Sequence, residues 1–217
     1  MVQVLLVGIV LFAPAGTLRW WRAWVFLALF AAVRIYTVTT LWLTNKGLLA
    51  ERAKRRSQPG QPGVDKLILQ LVRLAILLLF LFIPLDVFRF HLLPRPAVWL
   101  ASLGLGLYLF GWWLIIQSFR ANAFAAPVIK HDTARAHHVV DTGVYRFVRH
   151  PLYAGAVLLL LGMCLWLEST AGLLLALIPL AILVVRIGIE ERFLVEHLEG
   201  YAEYRGRVRS RLVPGVW

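Results

Sequence analysis

From residue 97 to residue 119 the chain carries no charged side chain. That run is about the 20 residues a helix needs to cross the hydrocarbon core of a bilayer. Five further apolar runs occupy residues 2–12, 19–44, 66–85, 152–167 and 171–185. Hydrophobic residues make up 60% of the 217 and charged residues 16%, more apolar surface than a water-soluble domain of this length can bury. Inside a bilayer an open chain must satisfy its backbone groups within each segment, which leaves the helix. The expectation is an all-α, polytopic integral membrane protein with about six (five to six) transmembrane helices. It forms one membrane domain over residues 1–217, with N-terminal helices in 1–119 and the chemistry in 120–217. The first run resembles a signal peptide, but no Lys or Arg precedes it, so a retained helix turning near Pro14 and Gly16 is expected. A five-span arrangement would leave that segment peripheral. From Glu190 onward a charged amphipathic C-terminal helix is expected.

The formal net charge is +12, from 23 Lys and Arg against 11 Asp and Glu. Such an excess on a soluble chain would suggest nucleic acid. Here the basic residues sit between apolar runs and no basic-aromatic groove is visible, so no nucleic-acid partner is expected. Arg52, Lys54, Arg55 and Arg56 share one loop, residues 120–149 form another, and Arg205, Arg207, Arg209 and Arg211 close the tail. With six spans all three fall on one side, which the positive-inside rule makes cytoplasmic. Cys164 is the single cysteine, so an internal disulfide is excluded, and its apolar setting reads as packing.

Some residues inside the spans stand out. Trp20, Trp21 and Trp24 read as an interfacial belt. Arg34 lies well within the second run, as a ligand contact or, more plainly, an inter-helix partner or snorkelling side chain. Arg73 is near enough to the start of the third run to snorkel. Gly104, Gly106 and Gly111 leave room for a close neighbour helix.

The chemically loaded stretch is residues 137–155, H-H-V-V-D-T-G-V-Y-R-F-V-R-H-P-L-Y-A-G. Gly143 permits a turn that a Cβ would resist. Pro151 suits a first helical turn, and His150 before it is pushed to an extended conformation, holding its ring and Arg149 at the helix mouth. Tyr145 and Tyr153 offer aromatic walls with polar tips. An ordinary interfacial helix start would use the same residues. Arg186 and Glu190, four apart at the end of the last span, share a helical face, so a pocket holding both signs of charge is expected between the two stretches. His131, His137, His138 and His150 raise a metal reading, at best a mononuclear site of His137, His150 and Glu190; with 6 His in total no metal is expected.

The combination G-V-Y-R-F-V-R-H-P-L-Y-A-G, E-E-R-F-L, G-Y-A-E-Y and R-L-V-P, with N-K-G-L-L-A-E-R at residues 45–52, resembles bacterial members of the isoprenylcysteine carboxyl methyltransferase family. That family lies within a wider group that includes phospholipid methyltransferases. The resemblance implies an integral membrane methyltransferase using S-adenosyl-L-methionine and releasing S-adenosyl-L-homocysteine. By motif, His137, Val140, Gly143, Tyr145, Arg149, His150, Pro151 and Tyr153 would line the cofactor pocket, with Glu191 closing it. Arg186 and Glu190 would be the catalytic pair. Val139 and the segment N-A-F-A-A-P depart from the family pattern.

On this reading the acceptor is a carboxylate on an isoprenylcysteine-like or other lipophilic molecule, small or prenylated. It would enter from the bilayer among the membrane lipids, with the active site facing the cytoplasm of a bacterial inner membrane. Phospholipid N-methylation is the alternative, with Glu190 as base. An NADPH-dependent sterol or isoprenoid reductase and a non-enzymatic membrane scaffold are the readings from other classes.

Overall fold

The computed structural model describes residues 2–44, 46–53, 63–122 and 139–217. Within them the chain is helical and has no strand. In order come α1 (Val2–Ala15), α2 (Trp21–Thr44), α3 (Lys46–Ala53), α4 (Gly63–Leu85), α5 (Val98–Ala121), α6 (Pro151–Trp166), α7 (Thr170–His197) and α8 (Tyr201–Arg207). Four helical stretches are long and apolar enough to cross a membrane: Trp21–Thr44, Gly63–Phe90, Val98–Ala121 and Thr170–His197. The apolar helices α1 and α6 are shorter. Leu5, Ile9, Trp42, Leu78, Trp99, Phe110, Leu177 and Val185 are all exposed. Water would penalise that outward greasy surface, whereas lipid accepts it. The protein is an integral membrane protein.

The core lies where α1, α2, α4, α5, α6 and α7 meet, around Leu11, Phe26, Leu79, Ile83, Tyr108, Met163 and Cys164. The tightest seam joins α5 to α6. A Cβ on Gly155 would stand 2.7 Å from the Gly111 carbonyl, and one on Gly162 would stand 2.5 Å from that of Gly104. Four glycines therefore let two backbones touch, as small residues do in membrane helix pairs. Gly106 is not among them; a Cβ there meets nothing within 4 Å.

Several expectations change. The segment after the second run opens as a helix, α3, because Leu48 is buried against Leu41, Ile115 and Phe119. The last helix does not stop where the apolar run ends at Val185. Helix α7 runs unbroken to His197, since Gly188 is the sole weak former between them, so the charged stretch from Glu190 continues the span. Beyond it only the short α8 forms. The connection after Leu85 begins as a π-helical turn, Asp86–Phe90, directly behind Pro84. Trp21 and Trp24 are exposed as belt residues should be, but Trp20 is buried against Phe12 and Phe88.

The hairpin between α6 and α7 is locked by side chains. Glu168 takes a left-handed φ of 67°. The Ser169 hydroxyl caps α7 by accepting from the Gly172 amide at 2.9 Å and donates to Asp86 at 2.6 Å. Buried Arg22 reaches Glu168 at 3.3 Å.

The glycine seam predicts that Gly162→Leu lowers stability by about 1–3 kcal/mol through overpacking. Gly106→Ala should hold or gain up to about 1 kcal/mol. Thermal unfolding of the two variants in detergent checks this; equal losses would mean that the seam is not the constraint.

Candidate active site

The polar end of α6 is built from a turn, a pair of residues bonded to the C-terminal segment and a helix start. Gly143 has φ +59°, in the left-handed region its lack of a side chain permits, and opens a 3-10 turn, Gly143–Arg146. The turn buries Tyr145, whose carbonyl accepts from the Tyr204 hydroxyl at 2.7 Å. Burial holds that hydroxyl well above the usual tyrosine pKa, so it stays a donor. His150 is not fully extended as expected before a proline; its φ is −123° and its ψ 59°. The amides of Arg149 and His150 donate to the carbonyls of Ser210 at 3.0 Å and Arg211 at 2.9 Å, so the C-terminal segment lies alongside. Pro151 follows as the first residue of α6, with its missing donor at a position that needs none.

Glu191 gathers this end together. Its Oε1 accepts from Arg149 Nε at 2.6 Å and lies 3.2 Å from His150 Nε2, while Oε2 accepts from Arg211 Nε at 2.9 Å. Arg149 also donates to the carbonyls of Val208 and Arg209, both at 2.7 Å. Arg149, His150 and Glu191 are all buried. One carboxylate thus joins the start of α6, the C-terminal part of α7 and the C-terminal segment.

The preceding residue on α7, Glu190, turned about 100° around the helix, faces a second cluster. The Tyr153 hydroxyl donates to Glu190 Oε2 in a very short hydrogen bond and accepts from Arg186 Nη1 at 2.5 Å. Arg186 Nε donates to Asp65 Oδ1 at 3.1 Å. Asp65 is wholly buried in the first turn of α4, so Arg186 is held from two sides. The His150 and Tyr153 rings stack at 5.5 Å, placing the two clusters side by side.

Of the residues expected to form the site, Arg149, His150, Pro151, Tyr153, Arg186, Glu190 and Glu191 converge here. Gly143 and Tyr145 shape the approach, and half-buried Val140 precedes the turn. His131, His137 and His138 lie outside the described residues. The shared face of Arg186 and Glu190 is present, with the Tyr153 hydroxyl bonded to both.

Three residues were not foreseen in these roles. Asp65 is 121 positions from Arg186 in sequence and looked like a polar residue ahead of a span. Arg211 read as a topology charge. Tyr201 is 5% exposed, and its hydroxyl has no hydrogen-bond partner among the described residues. Burial, followed by the nearby Glu191 and Glu190, holds that hydroxyl far above its usual pKa. It is a buried donor without an acceptor, the kind of group a ligand satisfies.

The phospholipid methyltransferase family model matches residues 99–200, from the start of α5 past the end of α7. Residues 99–200 belong to the phospholipid methyltransferase family. This family also includes membrane methyltransferases of the isoprenylcysteine carboxyl type, in agreement with the resemblance carried by the motifs. The match contains Tyr153, Arg186, Glu190 and Glu191, and leaves out Asp65, Tyr201 and Arg211. No protein of curated function matches the chain. The match points to methyl transfer at a membrane as the kind of activity to test.

Glu191→Ala would strand buried Arg149, so it should cost about 3–5 kcal/mol. Glu196→Ala, at an exposed position on the same helix, should change stability by less than about 0.5 kcal/mol. Thermal unfolding in one detergent compares them, and similar effects would remove Glu191 from its central role.

Proposed function

We propose that this methyltransferase uses S-adenosylmethionine to methylate a carboxylate of a lipophilic, isoprenylcysteine-like acceptor. The observation that carries the reading is the hydrogen-bonded unit of Arg186, Tyr153 and Glu190, set at the polar end of two apolar helices. The cofactor's residues fit. The Tyr201 hydroxyl is a buried donor that no described residue satisfies, and Glu190 supplies negative charge nearby for a cationic group. Tyr153, His150 and the turn from Gly143 supply walls.

When bound, the cofactor supplies a methyl group already activated on a sulfonium. What remains for the protein is positioning and electrostatics. Asp65 and the Tyr153 hydroxyl fix the Arg186 guanidinium, which can then hold an acceptor carboxylate by charge-assisted hydrogen bonds. Glu190 keeps the Tyr153 hydroxyl turned so that its lone pair faces Arg186. No general base is needed, since a carboxylate attacks without losing a proton. The acceptor's apolar part stays in the bilayer, and the Lys and Arg excess supports a cytoplasmic orientation for this face.

Asp65 favours a second reading. It adds a carboxylate to a cluster that already holds Glu190, a setting suited to an amine acceptor such as a phospholipid headgroup. Glu190 would then take the proton that an amine must lose.

Calorimetric titration of the purified protein with S-adenosylhomocysteine should give micromolar binding. Its absence from folded protein would end the cofactor assignment. Arg186→Lys retains a cation for Asp65 but not the planar fork. It should lower turnover by about 100-fold while changing cofactor affinity by less than about 3-fold. Methyl groups transferred from labelled cofactor should leave the lipid product as volatile methanol in alkali, as esters do; alkali-stable label identifies N-methylation.

A further inference from the structure

Leu152 belongs to two hydrophobic groups at once. It packs with the group around Tyr153 and Ile187, and also with the group around Leu41 and Phe119. On the second side lies a chamber of about 980 Å³, lined by Leu152, Leu41 and Phe119 and bounded by residues of α1 to α5. One leucine therefore stands between the chamber and the tyrosine that bonds Arg186.

Helix α4 joins the same two places. Asp65, which holds Arg186, and Leu69, which lines the chamber, are four apart and share a helical face. From Leu69 the lining continues through Ile76 to Phe80, about 16 Å along the helix axis. That is about the depth of hydrocarbon in one leaflet of a bilayer. At this far end Phe80 meets Phe26 with ring centroids 6.1 Å apart, and Phe26 meets Tyr108 at 5.1 Å, so packed aromatic rings form the floor. The lining is mostly apolar. Arg34 and Arg73 also belong to it; Arg73 is engaged within the protein, and long basic side chains lay their stems along apolar surface with the charge held elsewhere.

An apolar chamber that meets a carboxylate-holding cluster at one end suits a molecule with an acid head and a single chain behind it. We propose that the acceptor's chain lies in this chamber, crossing Leu152 to present its carboxylate to Arg186, and that Phe80 sets the longest chain accommodated. The proposal rests on the carboxylate reading of the site and adds a chain length to it. Three isoprene units in extended form match the distance from Leu69 to Phe80, and a fourth meets the aromatic floor.

Methyl transfer from labelled S-adenosylmethionine tests this on N-acetyl-S-geranylcysteine and its farnesyl and geranylgeranyl counterparts, all in one detergent. Their chains hold two, three and four isoprene units. kcat/KM should rise at least about tenfold from two units to three, the smallest step expected when an apolar group gains a pocket, and gain nothing from a fourth. Phe80→Ala opens the far end and should let the fourth unit add at least about tenfold. Ile76→Trp fills the middle and should erase the gain from the third, a result that stands whether or not the alanine variant folds. Unchanged binding of S-adenosylhomocysteine identifies each folded variant. Independently of turnover, an S-farnesylcysteine analogue with a diazirine at the chain's end should label Val7, Ile76 or Leu77 on irradiation. Label confined to Leu74 and Leu78, which are exposed on the same helix, would place the chain in free lipid and overturn the proposal. Chain preferences unchanged in both folded variants would overturn it too, while leaving the carboxylate reading in place. Failure of the parent protein to methylate any of the three acids would remove that reading, and this proposal with it.

Discussion

A carboxylate buried at a membrane boundary has lost its water and needs several donors in return, and Glu191 has three. The arrangement does more than neutralise a charge. Arg149 and His150 precede α6, Glu191 lies within α7, and Arg211 belongs to the C-terminal segment, so three parts of the chain share one charged centre. Arg149 carries the connection further by donating to the carbonyls of Val208 and Arg209. Those carbonyls belong to irregular backbone beside a greasy bundle, where an unpaired polar group is expensive. The same guanidinium therefore satisfies the carboxylate and the strap that passes it.

The glycine seam supplies what this polar centre cannot. Hydrogen bonds fix angles at one end of α6, but the distance between α5 and α6 is set by backbone contact. Gly155 meets the carbonyl of Gly111 half a turn beyond Tyr153. A side chain at either glycine would push the start of α6 outward and carry the Tyr153 hydroxyl away from Arg186 and Glu190. Seam and carboxylate thus define the position of one phenol from two directions.

Much of this was legible in the sequence, for identifiable reasons. The apolar runs announce helices because lipid leaves no alternative. Arg149, His150, Pro151, Tyr153, Glu190 and Glu191 announce a site because their spacing suits a helix mouth facing a helix end. What could not be read depends on distance in the chain. Asp65 belongs to a helix whose start follows two Pro-Gly pairs in the sequence, and no periodicity pairs it with Arg186. Arg211 was hidden among tail arginines that serve equally well as topology charges. The separate helix expected from Glu190 onward failed for a different reason. Charge marks where a helix can leave the bilayer, whereas only a breaker or cap marks where the helix stops, and the stretch up to His197 has neither.

The inner cluster bears on the kind of acceptor it suits. Among the described residues it formally holds one guanidinium, Arg186, against two carboxylates, Asp65 and Glu190. An amine acceptor needs Glu190 as a base, yet Oε2 of that carboxylate already accepts from the Tyr153 hydroxyl, which in turn accepts from Arg186. Taking a proton there would weaken the bond that orients the tyrosine and, through it, the arginine. A carboxylate acceptor leaves the unit undisturbed. Its reaction with a sulfonium also consumes two opposite charges, so an apolar setting, which stabilises separated ions poorly, favours the transition state over the ground state. An aqueous site would lose that advantage. The placement of this cluster below a polar strap and between apolar helices is therefore better suited to joining opposite charges than to moving a proton.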